Sequence, residues 1–399
     1  MDTRIAGGIL LIVGTSIGGG MLALPMATAE IGFIFASLML IAVWAIMTIS
    51  AFFVLEVNLW FPTRNNMITM AKATLGRWGE VAAWLSYLLL LYALLTAYVS
   101  GGAALFDEIS SWFKIHFSLA VDSILFVIVF GFIVYKGIKP VDYFNRFLMI
   151  LKLGALFLII FMAIPYIKID FLISGNPVWL TSVVTVMMTS FGFATIVPSL
   201  RSYFNDDIKK LRTAILVGSL IPLVCYILWE FAILGSVPRV GEHGLLQIIQ
   251  HGGSATDLSQ VLSVYLKKPS ITALVHLFTV ICVLTAFLGV SLCLVDFLSD
   301  GLKINKETKK GWLVYFLTFI PPLAIVLFKP NIFIKAFDYA GICALILIVL
   351  LPAMMVWRGR YVKKFSSNRY QVIGGKSVLI LIFIFSFFII GLSFYNIFF

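Results

Sequence analysis

The chain has 399 residues, of which 61% are hydrophobic and 12% are charged, and its formal net charge is +11. A soluble domain carries about 25% charged residues, so a chain this apolar cannot cover its surface in water and must use a lipid bilayer as its solvent. Because a spanning helix takes about 20 residues, the many apolar runs leave only short connections and exclude a sizeable soluble domain.

Apolar runs between charged positions predict eleven spanning helices. In chain order they cover residues 4–29, 32–60, 80–106, 119–135, 143–166, 178–203, 212–236, 270–299, 312–328, 332–356 and 377–398. We interpret the first as a span and not as a signal peptide, because glycines interrupt it and a second apolar segment follows at once. Residues 61–79 predict a short amphipathic helix. The connection 237–268 contains HGLLQIIQ, which predicts one or two helical turns, and we interpret this connection as a lid.

The connections between the predicted spans are alternately rich and poor in lysine and arginine. If the N-terminus is cytoplasmic, the inner connections hold 21 lysines and arginines and the outer ones hold 7. This bias follows the positive-inside rule and predicts a cytoplasmic N-terminus and a periplasmic C-terminus. The net charge is then a topology signal, and no nucleic-acid partner is predicted.

No motif for metal, cofactor or ATP chemistry is present. The four cysteines lie inside apolar segments without metal-ligand spacing or a CxxC pair, so we expect core residues and no disulfides. The glycine-rich stretch lacks the GxxxxGK[ST] pattern, which argues against ATP-driven transport. The sequence predicts neither a cofactor nor a metal site, and no enzyme.

The first predicted span contains an interruption. The stretch GTSIGGGMLALP places four glycines and one proline within residues 14–25. Glycine costs a helix interior about 1 kcal/mol and proline about 3 kcal/mol. We therefore predict that this helix unwinds in the middle.

The sixth predicted span repeats the pattern. In TSFGFATIVPSL, Gly192 precedes Pro198 much as Gly18 precedes Pro25 in the first span. The sixth span enters the membrane from the opposite side, which is typical of two five-helix repeats with inverted topology, each opening with a discontinuous helix. We predict one transporter domain over residues 1–399, with repeats at about 4–166 and 178–356 and an extra span at 377–398.

Two such breaks could bind a small zwitterion. Unwound backbone leaves N–H and C=O groups unpaired, and hydrocarbon penalises each of them by several kcal/mol. Half-helix N-termini are partly positive and C-termini partly negative, so facing breaks offer amides to a carboxylate and carbonyls to an ammonium group. The alternative is that the glycines only permit close helix packing. Their occurrence at corresponding positions of two halves favours a binding site.

Four motifs carry a family resemblance. GTSIGGGMLALP, TSFGF…VPS, FNRFL…K and FLGVSL…DFLSD resemble the bacterial aromatic amino acid permeases, the tyrosine- and tryptophan-specific group. The resemblance runs nearly end to end. It implies the leucine-transporter-like fold of the amino acid–polyamine–organocation superfamily and a proton-coupled importer of the bacterial inner membrane. The chain is most similar to tyrosine permeases, although Ala194 stands where members often carry His, which leaves the exact substrate open.

Residues at the breaks are the predicted substrate ligands. Backbone amides and hydroxyls at the first break would hold the carboxylate; these residues are Thr15, Ser16, Gly18, Gly19 and Gly20. Carbonyls at the second break would accept from the ammonium group; these residues are Ser190, Phe191 and Gly192. The rings of Phe191, Phe193 and Tyr92 are expected to pack against an aromatic substrate.

Lys152 is the one basic residue in the middle of a predicted span. A mid-span lysine costs roughly 2.5–3.5 kcal/mol on insertion scales, so we predict a proton-coupling role. The resemblance implies that a fifth-helix lysine lies against the first helix, where sodium-dependent relatives place a cation. Its ammonium group would touch carbonyls near residues 13–16, with Ser291 as a possible cation-site neighbour. A lysine reaching the nearer membrane surface is the alternative.

Few carboxylates lie within the predicted spans. Glu56, Glu230 and Asp296 could each serve as a gate or relay, or could pair with a nearby basic residue. We interpret the protein as a secondary active transporter that imports an aromatic amino acid, with L-tyrosine the expected substrate, by proton symport and alternating access. Alternatives are a tryptophan or hydroxy amino acid permease, a sodium-coupled symporter, a channel, or a sensor that binds without transport.

Overall fold

The computed structural model describes residues 3–62, 65–112, 114, 117–176, 180–241, 244–250, 257–266, 268–304, 310–365 and 370–398. Within these ranges the chain is helical between turns and connections, and no strand occurs there. The helices are α1 (Thr3–Ser16), α2 (Gly19–Thr28), α3 (Gly32–Leu59), α4 (Met67–Leu75), α5 (Arg77–Trp112), α6 (Leu119–Tyr135), α7 (Ile138–Ala163), α8 (Ile169–Ile173), α9 (Leu180–Ser190), α10 (Val197–Tyr203), α11 (Ile208–Ser236), α12 (Leu245–Gln250), α13 (Asp257–Leu266), α14 (Pro269–Leu302), α15 (Trp312–Phe328), α16 (Phe333–Ala344), α17 (Leu351–Trp357) and α18 (Gly375–Phe398).

Four shorter segments continue these helices with a different hydrogen-bond spacing. Two are 3₁₀ helices, at Ile164–Tyr166 and Gly192–Ile196. Two are π-helical: Leu345–Leu350 joins α16 to α17, and Arg358–Val362 extends the same rod beyond α17.

The helices are long and apolar enough to form a multi-span membrane protein. Among the described residues, eight helical rods qualify as spans by length and composition, or nine when the bent pair of α1 and α2 counts as one. The apolar helices α6 and α15 have 17 residues each, which is about the lower limit for crossing a bilayer. The prediction of an all-helical, multi-span protein is confirmed.

Predicted and observed boundaries agree closely. The fourth and ninth predicted spans coincide with α6 and α15. The tenth was predicted to end at residue 356, but its rod continues to Val362, because Arg360 is held by a buried partner and does not mark a water-filled loop. Residues 178–179 of the sixth predicted span, and parts of the predicted lid, lie outside the described residues.

Contacts between connections define the two ends of the helix bundle. At the end where α1 begins, Arg201 donates to the backbone carbonyls of Asn58 and Phe61. At the opposite end, the carbonyl of Glu30 accepts from the Asn176 N–H at 3.0 Å and from Arg239 Nη1 at 2.9 Å. We refer to these as the N-terminal end and the opposite end.

The predicted amphipathic helix is α4, at the N-terminal end. Asn66 caps it, because the Asn66 side chain accepts from the Thr69 N–H and the Thr69 hydroxyl accepts from the Asn66 N–H. Gly76 ends it with a φ of 82°, a conformation that glycine adopts without strain. Lys363 Nζ donates to the Ala73 carbonyl at 2.6 Å, and this contact holds the helix against the N-terminal end of the bundle.

The spans pack in two groups. α1 and α3 pack on α11, whereas α6, α14 and α15 pack on α5, and α7 lies against α14. The interrupted helices lie between the groups: α2 contacts α9, α14 and α16. Gly341 of α16 approaches α9 so closely that a Cβ there would lie 2.2 Å from the Thr185 carbonyl oxygen. The breaks are therefore buried at the centre of the packing.

A buried ion pair joins α3 to the end of the α16–α17 rod. Arg360 Nε and Nη2 donate to the two carboxylate oxygens of Glu56 at 2.7 and 2.5 Å, and their side chains are 6% and 1% exposed. The Val372 N–H donates to Glu56 Oε2 at 2.8 Å. Of the two roles considered for Glu56, the structure has the pairing with a basic residue.

We expect Glu56→Gln to lower the free energy of unfolding by about 3–5 kcal/mol, because it leaves the buried Arg360 without its counter-charge. The matched control is Glu80→Gln, since Glu80 pairs with the exposed Lys72 at 2.9 Å and such pairs contribute only about 0.2–1 kcal/mol. Unfolding of the purified protein in detergent measures both. Equal stabilities of the two variants would contradict this account of the pair.

Candidate functional site: two helix breaks joined by Tyr226

The first break separates α1 from α2. The two helices meet at an angle of 51°, with Ile17 and Gly18 between them. Gly18 leaves the helix with φ −151° and ψ −149°, and the first turn of α2 begins with Gly19 and Gly20. The first N–H groups of a helix have no partner within it, so α2 presents backbone donors at the break while α1 ends there with its carbonyls.

The second break separates α9 from α10. α9 ends at Ser190, a turn at Phe191 follows, and the 3₁₀ helix leads into α10. The rod from Val183 to Tyr203 keeps its overall direction, so the break interrupts the α-helical hydrogen bonds without a sharp bend. A Cβ on Gly192 would meet no atom within 4 Å, which shows open space beside this break.

The two breaks touch each other. A Cβ on Gly20 would lie 2.9 Å from Ser190 Oγ and 3.4 Å from Ser190 Cα. Gly20 therefore permits a close approach between the start of α2 and the end of α9, and a side chain there would force the Ser190 hydroxyl to move. The pairing predicted from two glycine–proline patterns corresponds to a direct contact in space.

Tyr226 of α11 connects both breaks. Its hydroxyl lies 2.6 Å from the Ser16 carbonyl oxygen and 2.8 Å from the Ser190 carbonyl oxygen, and the residue is fully buried. Its ring packs edge-on against Phe191, with 5.1 Å between the ring centroids. A hydroxyl has one hydrogen, so it fully satisfies only one of these two carbonyls at a time. The C-terminal ends of α1 and α9 thus converge with more acceptors than donors.

Lys152 of α7 lies at the first break. Its Nζ is 2.5 Å from the Ile17 carbonyl oxygen and 3.5 Å from Thr285 Oγ1, and the residue is 1% exposed. The carbonyl it contacts is thus one residue beyond the predicted stretch 13–16. The hydroxyl near it is that of Thr285 and not that of Ser291, whose Oγ is buried without a hydrogen-bond partner among the described residues. The lysine points into the protein and not to the membrane surface.

The other predicted ligands occupy different environments. Phe191 and Phe193 are fully buried at the second break. Ser16 is buried, and its Oγ has no hydrogen-bond partner within the described part of the chain. Thr15 is exposed and donates to the Leu11 carbonyl of its own helix.

The tyrosine of α5 that reaches the first break is Tyr98, not Tyr92. A Cβ on Gly19 would lie 2.4 Å from Tyr98 Cε1, whereas the Tyr92 hydroxyl donates to the Leu317 carbonyl of α15 at 2.8 Å. The sequence analysis missed Tyr98 and Tyr226. Both could have been identified as tyrosines in the middle of an apolar span, because a buried tyrosine hydroxyl usually needs a hydrogen-bond partner.

A cavity of about 320 Å³ lies on the N-terminal side of the second break. It is bounded by α4, α5, α10 and α14, and its lining includes Asn66, Tyr87, Thr195, Ser199 and Phe297. Polar side chains of α10 line it directly after the 3₁₀ helix. The cavity therefore offers a partly polar route from the break towards the N-terminal end.

Comparison with known proteins identifies the family of the chain. The family model of the tryptophan/tyrosine permease family matches residues 1–393. The chain belongs to this family.

Relatives of the permease carry different substrate names. It is 34% identical to tyrosine-specific transport system 1 of Haemophilus influenzae, over 95% of this chain and 94% of the relative. It is 31% identical to a tryptophan-specific transport protein of the same organism, over 94% and 92%. It is 29% identical to glutamine transporter 2 of Aliivibrio fischeri, over 89% of each chain. The permease is thus a multi-pass transporter of amino acids and not an enzyme, as the sequence predicted.

We expect Tyr226→Phe to weaken the apparent affinity for the transported amino acid by about tenfold, equivalent to about 1.4 kcal/mol. The change removes the hydroxyl that lies between the Ser16 and Ser190 carbonyls, so the two breaks lose their common donor. The control is Tyr92→Phe, which removes a hydroxyl from the same protein away from the breaks. Uptake measured over a range of substrate concentrations decides: equal affinities in the two variants would show that Tyr226 does not organise the site.

Proposed function

We propose that this permease imports an aromatic amino acid, L-tyrosine in the first place, by proton symport across the bacterial inner membrane. The observation that carries the proposal is the position of the Tyr226 hydroxyl between the Ser16 and Ser190 carbonyls. Two helix-end carbonyls share one donor, beside the free amides at the start of α2. Partly negative helix C-termini next to a partly positive N-terminus match a zwitterion.

In the proposed complex the substrate binds at both breaks. Its carboxylate accepts from the amides of Gly18, Gly19 and Gly20 and from the hydroxyl of Ser16, whereas the predicted ligand Thr15 is exposed and donates within α1. Its ammonium group donates to the carbonyls of the second break, at residues Ser190, Phe191 and Gly192, and to the Ser16 carbonyl. The buried Ser16 Oγ supports this assignment, because buried hydroxyls normally have a hydrogen-bond partner.

The aromatic ring of the substrate would pack among the rings around the breaks. Phe191, Phe193 and Tyr226 lie there, and Tyr98 takes the place that the sequence assigned to Tyr92. Tyr98 is supported from behind by Phe337, at 5.8 Å between ring centroids. Edge-to-face pairs of this kind contribute about 0.5–1.5 kcal/mol beyond burial.

Lys152 is the proposed proton-coupling residue. Its ammonium group donates to the Ile17 carbonyl at the break, and loss of its proton removes the positive charge from the junction of α1 and α2 and weakens that contact. The same contact argues against a sodium ion there, because the ammonium group already occupies the carbonyl. Ser291, one and a half helical turns from Thr285 on α14, is proposed only as a neighbour of this region.

The wider architecture follows the inverted-repeat pattern. We propose a single domain with the leucine-transporter-like fold, repeats at about residues 4–166 and 178–356, and α18 as an eleventh span once α6 and α15 are counted. The charge bias places the N-terminus in the cytoplasm and the C-terminus in the periplasm. The group formed by α1, α2, α3, α9, α10 and α11 would then rock against the rest, and the cavity beside α10 would release substrate to the cytoplasm.

Proteoliposomes with separate proton and sodium gradients test the coupling. We expect labelled L-tyrosine to accumulate with an inward proton gradient and not with a sodium gradient. Lys152→Met should abolish accumulation, because no proton can be exchanged at the break, and the control Lys168→Met should retain it, since Lys168 lies in a connection at the opposite end. Uptake driven by sodium alone, or full accumulation by Lys152→Met, would contradict the proposal.

A counterflow panel tests the substrate. Vesicles loaded with unlabelled L-tyrosine are expected to exchange it for external tyrosine faster than for tryptophan, phenylalanine, glutamine or serine. The relatives named for tryptophan and for glutamine make these the informative competitors. If tryptophan exchanges faster, the proposed substrate is wrong but the proposed binding site stands. If only glutamine or serine exchanges, the proposal of a pocket for an aromatic side chain is refuted.

A further inference from the structure

A second buried glutamate has no ionic partner among the residues that the structure describes. Glu230 of α11 is fully buried and lies one helical turn from Tyr226, towards the opposite end. Within the described residues its one hydrogen-bond partner is Thr28, the last residue of α2: Thr28 Oγ1 lies 2.8 Å from Glu230 Oε2. Glu230 Oε1 is buried and has no partner. Glu56, by contrast, is held by Arg360 and a backbone N–H.

The hydrogen count at Thr28 favours a neutral Glu230. Thr28 Oγ1 also lies 2.8 Å from the Leu24 carbonyl oxygen, so it faces two oxygen atoms with a single hydrogen. If Glu230 carries a proton on Oε2, it donates to Thr28 Oγ1, and Thr28 donates to Leu24. Both contacts are then true hydrogen bonds. With an ionised Glu230, the single hydrogen of Thr28 Oγ1 serves only one of the two oxygen atoms.

The surrounding charges favour the same state. Thr28 is at the C-terminus of α2 and Glu230 is near that of α11, where helix dipoles disfavour negative charge. The elements packed against α11 carry charged or titratable groups, but none of them is bonded or ion-paired to Glu230. They are Glu30 after α2, Lys168 and Asp170 at α8, Asp257 and Tyr265 on α13, Tyr166 and Lys152 on the α7 side, and Arg4, Glu56, Arg201 and Tyr203 towards the N-terminal end.

Glu230 is also close to water when the opposite end opens. It lies within two turns of the end of α11 at Ser236, or about 9 Å of helix. The contacts of the Glu30 carbonyl with Asn176 and Arg239 close that end in this conformation. Separation of these contacts would expose Thr28 and Glu230, while the other terminus of the ten-residue α2 forms the substrate site.

We propose that Glu230 is a proton-binding site of the transport cycle, separate from Lys152. The carboxylate takes a proton from water at the opposite end, and the neutral acid then donates to Thr28 and holds α2 in the closed position. The proton leaves when water reaches Glu230 from the N-terminal end, so that each cycle carries it across the membrane. This inference rests on the proposed proton symport and adds a second coupled group to it.

Proteoliposome transport of labelled L-tyrosine tests the inference. A pH gradient of one unit supports about tenfold accumulation for each coupled proton. We expect Glu230→Gln, which fixes the neutral form, to accumulate about tenfold less than the unmodified protein at this gradient, while counterflow without a gradient continues. The control is Glu80→Gln, whose glutamate is half-buried and paired with the exposed Lys72. Equal accumulation by Glu230→Gln and the unmodified protein overturns the proposal.

Two comparisons keep the outcomes separate. If the unmodified protein itself shows no proton-driven uptake, the proposed function fails and this inference fails with it. If proton-driven uptake is lost in Lys152→Met but intact in Glu230→Gln, only the Glu230 site is refuted.

A second test uses the unmodified protein, so that it remains valid if Glu230→Gln does not fold. Dicyclohexylcarbodiimide is an apolar reagent that modifies protonated carboxyl groups, and mass spectrometry locates the product. We expect Glu230 to be modified, less so as the pH rises, while the ion-paired Glu56 stays unmodified at every pH. Absence of modification at Glu230 under conditions that label other buried acids overturns the proposal.

Discussion

Backbone groups cannot remain unpaired inside an apolar helix bundle, and the rest of this structure depends on how two helix breaks meet that constraint. α1 and α9 both end in the interior, and each leaves carbonyl oxygens there. The chain provides donors from two neighbouring helices: the Tyr226 hydroxyl from α11 for the Ser16 and Ser190 carbonyls, and the Lys152 ammonium group from α7 for the Ile17 carbonyl. These donors do not satisfy every carbonyl at the breaks, because the Tyr226 hydroxyl has one hydrogen for two acceptors. A partly satisfied backbone of this kind suits a transporter, since the ligand completes the hydrogen bonding only while it is bound.

The same helices link the proposed substrate site to the groups proposed to carry protons. α11 carries Tyr226 at the breaks and Glu230 one turn away, and α2 begins at the amides proposed to bind the substrate carboxylate and ends at Thr28. A change at either end of α2 therefore acts on one short rigid element. Glu56 shows the contrasting case, because its bidentate contact with Arg360 makes it part of a structural ion pair between distant helices.

Much of the fold could be predicted from the sequence because the apolar runs are long and charged residues mark where most of them end. α6 and α15 have the predicted bounds, and the break at Gly18 follows from three consecutive glycines. The side-chain neighbours were harder to predict. In a bilayer a helix such as α5 is apolar on all sides, so no periodicity shows which face meets the core. Tyr92 and Tyr98 are six residues apart and point in different directions, and only the packing shows that Tyr98 meets Gly19. The pairing of Glu56 with Arg360 joins distant parts of the chain, so local pattern could not reveal it.

The most direct test of the central claim is an experimental structure of the permease with bound L-tyrosine. The account predicts the ligand's ammonium group within about 2.7–3.2 Å of helix-end carbonyls at the Ser16 and Ser190 positions, and its carboxylate at the amides of residues 18–20. Helices α1 and α9 should remain interrupted at Gly18 and Gly192 in that complex. A ligand bound away from both breaks, or a helix running unbroken through either glycine, would contradict the account.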